Sequence, residues 1–148
     1  MFTNILVALD GSEASKRALV RAVDEAERWK AKLQVIYVVE MINFSSLTPD
    51  NTLEGENTRE ILYRVMEKEG KEVLRKAKKS GTEKGLTVIT HLKQGHAGIE
   101  IVSLAEQEKS DLIVVGSHGK SNIDRLLMGS VSTFVVTHSK ITTIVVRT

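Results

Sequence analysis

Cysteine is absent from the 148 residues. That excludes a disulfide framework, a thiolate metal site and a cysteine nucleophile, and it leaves core burial as the source of stability. Proline occurs once, at Pro49, and there are only six aromatic residues. The core must therefore be assembled from Val, Ile, Leu and Ala, which suits a buried parallel sheet. No apolar run exceeds five residues (Ile5 to Leu9, Val35 to Val39), whereas a spanning helix needs about 20 and a signal-peptide core about 7 to 15. A soluble, cytoplasmic protein with no membrane partner is expected. Neither sign of charge dominates: 21 Lys+Arg stand against 19 Asp+Glu, a net charge of +2. Bulk attraction to nucleic acid or to an anionic membrane is not expected. The 41% apolar content excludes intrinsic disorder, and the length fits one domain over residues 1–148.

Short β-branched runs recur: Ile5 to Leu9, Leu33 to Val39, Leu86 to Ile89, Asp111 to Val115 and Thr143 to Val146. Between the first two, Ala14, Ala18, Leu19, Ala22, Val23, Ala26 and Trp29 follow three- and four-residue steps, with Ser12 as N-cap and Glu13 in the first turn. That pattern predicts an amphipathic helix. Apolar stripes through Ile61, Leu62, Val65, Met66, Val73 and Ala77, and through Ile101, Val102 and Ala105, predict two more, and Gly129 to His138 a fourth. Strict alternation of strand and helix implies a three-layer α/β/α sandwich around a five-stranded parallel sheet. Met41 to Asn57 has neither period and reads as a mobile insertion or lid. The lysines from Lys68 to Lys84 alternate with Glu67, Glu69, Glu72 and Glu83 and lack an aromatic platform. They read as a solvated helix face rather than an RNA-binding stripe.

In an open α/β sheet, ligands bind beyond the carboxyl ends of the strands, where the strand order reverses. The loops after strands therefore matter most. Asp10-Gly11-Ser12 follows the first strand, and Gly116-Ser117-His118-Gly119-Lys120-Ser121-Asn122 follows the fourth. Gly116 and Gly119 remove Cβ bulk and permit positive φ, so successive N–H groups can converge on an anion. Gly129-Ser130-Val131-Ser132 then opens a helix, where unpaired N–H donors and the helix dipole favour negative charge, and Ser130 and Ser132 add hydroxyl donors. Piece by piece, the same residues also read as an ordinary Gly-punctuated loop before a Ser-capped helix. Gly119-Lys120-Ser121 looks like the end of a Walker A loop, but the glycine required at 114 is Val114; a G-x-G-x-x-G fingerprint is also absent.

The longer pattern of Gly116, two residues, Gly119, nine residues and Gly129-Ser130 resembles the ATP-binding signature of the universal stress protein family. Together with Asp10 and the strand sequence, the resemblance covers nearly the whole chain. It implies sheet order 3-2-1-4-5, an adenine nucleotide alpha hydrolase-like arrangement, with Asp10 facing the glycine loop. It also implies ATP or another adenine nucleotide as ligand, with its adenine between Ala8 and Val38 and its ribose near Asp10. The phosphates would run along Gly116, Ser117, His118, Gly119, Lys120, Ser121 and Asn122 onto Ser130, Val131 and Ser132 beside Gly129, with Mg²⁺ or Mn²⁺ as candidate counter-ion. Lys120 either adds charge or points to solvent. The sequence departs from the common pattern at Thr142, where many relatives have proline before the last strand.

His91 and His96 read as flanking a strand end at a spacing unsuited to metal, and His138 as ending a helix. His118 reads either as a phosphate ligand or as a solvated loop residue. No Ser-His-Asp set is recognisable. A receiver-type domain requires an aspartate after the third strand, where His91-Leu92-Lys93-Gln94 is expected to lie and supplies none. The reading that results is a nucleotide-dependent regulatory switch in stress response, acting on an unknown protein partner and dimerising through its C-terminal strand. The alternatives are a slow ATPase needing a partner and a non-nucleotide adaptor. Efficient hydrolysis is not expected, because no arginine finger, Walker B carboxylate or water-positioning glutamine can be assigned.

Overall fold

The computed structural model describes residues 1–40, 52–118 and 128–147, the side chains of 52–57 excepted. Most of the expected insertion (residues 41–51) and the expected phosphate-loop residues Gly119, Lys120, Ser121 and Asn122 lie outside the described residues. The elements run β1 (Asn4–Leu9), α1 (Glu13–Trp29), β2 (Lys32–Glu40), α2 (Thr52–Glu83), β3 (Val88–Gly95), α3 (Ala97–Gln107), β4 (Leu112–Gly116), α4 (Ser130–His138) and β5 (Thr142–Val146). All pairings are parallel and the sheet order is β3-β2-β1-β4-β5, with Ile5 opposite both Leu33 and Leu112.

Burial on both faces explains why the central strands read as continuous apolar runs. Ile5, Val7, Leu33, Val35, Leu112 and Val114 pack against Ala18, Ala22 and Ala26 of α1 and Leu74 and Ala77 of α2. Leu6, Ile36, Ile113 and Val115 pack on the opposite face against Ile101, Leu104 and Ala105 of α3 and Val135 of α4. Each fully buried Leu or Ile contributes about 1.5–3 kcal/mol of transfer free energy. Ser12 caps α1 as its position suggests, its side chain accepting the Ser15 N–H at 3.2 Å.

Two elements differ from the sequence expectation. The third strand starts at Val88 and extends to Gly95, because the Leu86 N–H still bonds the Gly81 carbonyl at the end of α2 (3.1 Å). As a sheet edge it accepts polar residues, so His91 to Gln94 lie within the strand and not after it. His91 is thus a mid-strand residue, and His96 follows the strand as the N-cap of α3, its Nδ1 accepting the Ile99 N–H at 3.2 Å. Helix α2 begins at Thr52 and takes in residues assigned to the insertion. Its first six positions hold one apolar residue, Leu53, so an apolar period cannot reveal them.

A directional chain of polar side chains crosses β3, β2 and β1. Asn4 Nδ2 donates to the Glu108 carbonyl (2.7 Å), and Gln34 Nε2 donates to Asn4 Oδ1 (2.8 Å). Gln34 Oε1 is thereby the acceptor for His91 Nε2 at 2.7 Å, which fixes that nitrogen as the protonated one. Burial lowers the His91 pKa below its ordinary 6.5; Lys93 and Lys32 add to the shift and Glu108 opposes it. A depressed folded-state pKa means that the unfolded chain binds the proton more readily. The stability contribution is therefore full above the unfolded value and is lost as pH falls through the folded one. The variant His91→Gln, which can still donate to Gln34, is expected to flatten the fall in urea midpoint between neutral pH and about pH 5; an unchanged slope would show that His91 is not its source.

At the start of the sheet, Asp111 ties β1 to β4. Its Oδ2 accepts the Thr3 N–H (2.8 Å) and hydroxyl (3.0 Å), and its Oδ1 accepts the Asn4 N–H (3.1 Å). Burial alone would raise this carboxyl, but those hydrogen bonds outweigh it and its pKa lies below the usual value.

Candidate functional site

The order reverses between β1 and β4, where successive crossovers go to opposite faces, and a cleft of about 620 Å³ opens there at the carboxyl ends of the strands. Every expected site residue within the described part of the chain lines it: Ala8, Asp10, Val38, Gly116, Ser117, His118, Gly129, Ser130, Val131 and Ser132. Ala8 and Val38 belong to adjacent strands and face the same side of the sheet as Leu6 and Ile36. Small and branched apolar side chains there form the walls of a slot.

Local hydrogen bonding fixes the polar rim. Asp10 Oδ1 accepts the Ser12 N–H at 2.8 Å, and Gly11 adopts φ +84°, which turns the chain from β1 into α1 and holds the carboxylate at the cleft. Gly116 serves a purpose other than the positive φ expected of it. A Cβ there would lie 2.8 Å from the Ala14 carbonyl carbon and 2.9 Å from its oxygen. The glycine lets the first turn of α1 lie directly on the end of β4.

The Ser117 peptide organises the next part of the rim. Its N–H donates to the Val146 carbonyl (2.8 Å), while its own carbonyl accepts the Gly129 N–H (2.6 Å) and the Ser132 hydroxyl (3.2 Å). Ser132 also contacts the Gly129 carbonyl at 3.0 Å. Its hydroxyl hydrogen is engaged by protein carbonyls, so Ser132 positions the helix start; it is not an added hydroxyl donor for a phosphate. Gly129 is the N-cap, and the first bond of α4 runs from the Thr133 N–H to the Gly129 carbonyl (3.0 Å). The N–H groups of Ser130, Val131 and Ser132 precede that bond and point out of the helix end, where the macrodipole is positive. His118 is buried, not solvated, and its Nδ1 lies 2.8 Å from Ser117 Oγ.

The sequence reading missed part of the lining. Ile36 and Glu40 share the Val38 face of β2 and were accessible through the period of two. Met66 and Glu69 were not, because they come from α2, whose packing over the sheet no local pattern gives; Tyr37 alternates to the opposite face of β2, beneath that helix. Gly70 permits this close approach: a Cβ there would lie 2.6 Å from Tyr37 Cδ1. The charged residues in the described lining, apart from the histidine, are Asp10, Glu40 and Glu69. Among the described residues no group of three or more His, Cys, Asp or Glu side chains is placed to hold a metal ion.

The model of the universal stress protein family matches residues 1–147, and the chain belongs to that family. The universal stress protein YxiE of Bacillus subtilis is 36% identical over 149 residues, which span 99% of this chain and 100% of that protein. Among solved structures, UspA of Lactobacillus plantarum aligns with a TM-score of 0.87 at 28% identity, covering 99% of this chain and 98% of the other. A universal stress protein in complex with cAMP aligns at 28% identity with a TM-score of 0.66, covering 99% and 97%.

Proposed function

We propose that this cleft binds an adenine nucleotide, with ATP as the principal ligand, and that occupancy acts as a regulatory signal toward a protein partner in stress response. The observation that carries the reading is the meeting, in one cleft, of the apolar slot at Ala8 and Val38 with the amino end of α4. The slot suits a planar base, and the helix end suits phosphate. Asp10, between them, is placed for ribose hydroxyls or a phosphate-bound cation. A cation, Mg²⁺ or Mn²⁺, would arrive with the phosphates, since three carboxylates in the lining oppose a bare polyanion. The cAMP complex of the relative supports an adenine ligand class.

The test is mass analysis of small molecules released on denaturing the purified protein, followed by calorimetry with ATP, AMP and cAMP. Adenine nucleotide at near-stoichiometric yield, or tighter binding of ATP than of the other two, is expected. Failure to bind any adenine nucleotide would overturn the reading in favour of an adaptor. Phosphate release is expected to be slow without a partner, because amide donors bind a triphosphate without supplying in-line water or charge at the γ-phosphate. Several turnovers per second by the protein alone would make it an ATPase.

The two sheet edges differ in a way that favours self-association at one of them. β3 carries His91 and Lys93, whereas β5 reads Thr-Thr-Ile-Val-Val with no charge. Unprotected apolar edges pair with like edges about a two-fold axis. The variant Val145→Lys is expected to convert a homodimer to monomer by light scattering, and an unchanged dimer mass would move the interface elsewhere.

A further inference from the structure

A second cavity, also of about 620 Å³, lies at the opposite end of the sheet, and nothing in the nucleotide reading uses it. It opens where the α1–β2 and α2–β3 connections run side by side. Its charged lining is Lys30, Lys32, Lys84 and Glu27, with Thr3 and Thr87 contributing hydroxyl-bearing residues. Three lysines thus share the lining with one acidic residue, Glu27, which is engaged with Lys84 at 3.6 Å, while the Thr3 hydroxyl is taken by Asp111 Oδ2 at 3.0 Å. Like charges gathered at a concave surface raise its positive potential and draw in anions.

Two backbone features sharpen the case. Lys30, the C-cap of α1, is held at φ +54°, in the left-handed region where glycine is the relaxed choice. Helix-dipole complementarity explains a lysine near a helix end, but Arg28 already supplies a cation in the last turn of α1. Lys109, after α3, shares this conformation at φ +57° but lines neither cavity, so what distinguishes Lys30 is its place in this lining. Across the cavity, Gly85 (φ +79°) has open space where a Cβ would stand, so the wall there is bare backbone that a ligand can approach closely.

We propose that this cavity binds a compact polyphosphate anion, held by Lys30, Lys32 and Lys84, at a site separate from the adenine-nucleotide cleft. Several adjacent negative charges match ammonium groups contributed by two connections, and lysine serves as a point-charge phosphate binder.

Trp29, the sole tryptophan, is next in sequence to Lys30 and stacks edge-on with Phe2 at 6.1 Å, so its fluorescence reports on this end of the molecule. Full-length protein is titrated with tripolyphosphate while Trp29 emission is followed, at low and at physiological salt. A saturable change is expected that weakens steeply with salt and becomes at least tenfold weaker in Lys30→Gln/Lys84→Gln. The single variant Lys30→Gly separates binding from structure: it relaxes the backbone and is expected to melt higher, yet to bind more weakly. The absence of a saturable change in the wild type would overturn the proposal, as would an isotherm unaltered in the double variant or in Lys30→Gly. Loss of adenine binding in the upper cleft leaves this outcome unaffected, so the two readings fail separately.

Discussion

Replacing Ser130 with aspartate is expected to abolish nucleotide binding while making the protein slightly more stable. Ser130 is the first residue of α4, exposed at the rim of the cleft, and its N–H precedes the first intrahelical bond, from Thr133 to Gly129. A carboxylate there complements the helix dipole, contributing about 0.3–1 kcal/mol to the folded state. The same carboxylate opposes a phosphate drawn to those amides. At about 5 Å and an effective dielectric of about 20, each pair of like charges costs roughly 3 kcal/mol, or more than a hundredfold in affinity. Ser130→Ala, which keeps the amide and removes only the hydroxyl, is expected to change affinity far less. Calorimetry and thermal melts on the two variants measure both quantities. If Ser130→Asp binds ATP like the wild type, the phosphates do not sit at α4.

Gly116→Val is expected to cost stability on the order of 3 kcal/mol, the upper part of the usual range for overpacking. For a domain of this size that is a fall in melting temperature of roughly 6–12 °C. The added Cβ meets the backbone of Ala14, at 2.8 Å from its carbonyl carbon, and not merely a side chain that can rotate away. Trimming the neighbour therefore brings little relief: Gly116→Val with Ala14→Gly is expected to melt close to Gly116→Val alone. Recovery to wild-type melting in the double variant would mean that the methyl of Ala14, and not its peptide, sets the limit. Nucleotide affinity should fall as well, because displacing α1 displaces the Asp10–Ser12 turn.

What could be read in the sequence follows the physics of burial. β1, β2 and β4 are covered on both faces, so their β-branched runs announce them. β3 lies at an edge and accommodates His91 and Lys93, so its true extent is not visible in hydropathy. The cleft was legible where chemistry is local to a turn, as at Asp10 and at Gly129-Ser130. It was not legible where residues meet only through the tertiary fold: Met66 and Glu69 come from a helix whose packing over the sheet no local pattern gives. Two of the residues expected at the phosphates have structural roles that the sequence does not reveal. Gly116 is small because a helix lies on it, and Ser132 is hydroxylated because it braces the Ser117 carbonyl.

The polar chain from Asn4 through Gln34 to His91 constrains how such a sequence can drift. Every amide in it has an assigned direction, since reversing Gln34 would set its oxygen against Asn4 Oδ1 and its NH₂ against the protonated His91 nitrogen. Replacing one member alone with an apolar residue strands its neighbour's donor or acceptor within the sheet, whereas replacing all three with side chains of similar shape removes every unmet need together. The three positions therefore form a single heritable unit. Substitutions at them are strongly non-additive, and routes between the polar and the apolar solution pass through intermediates less stable than either end.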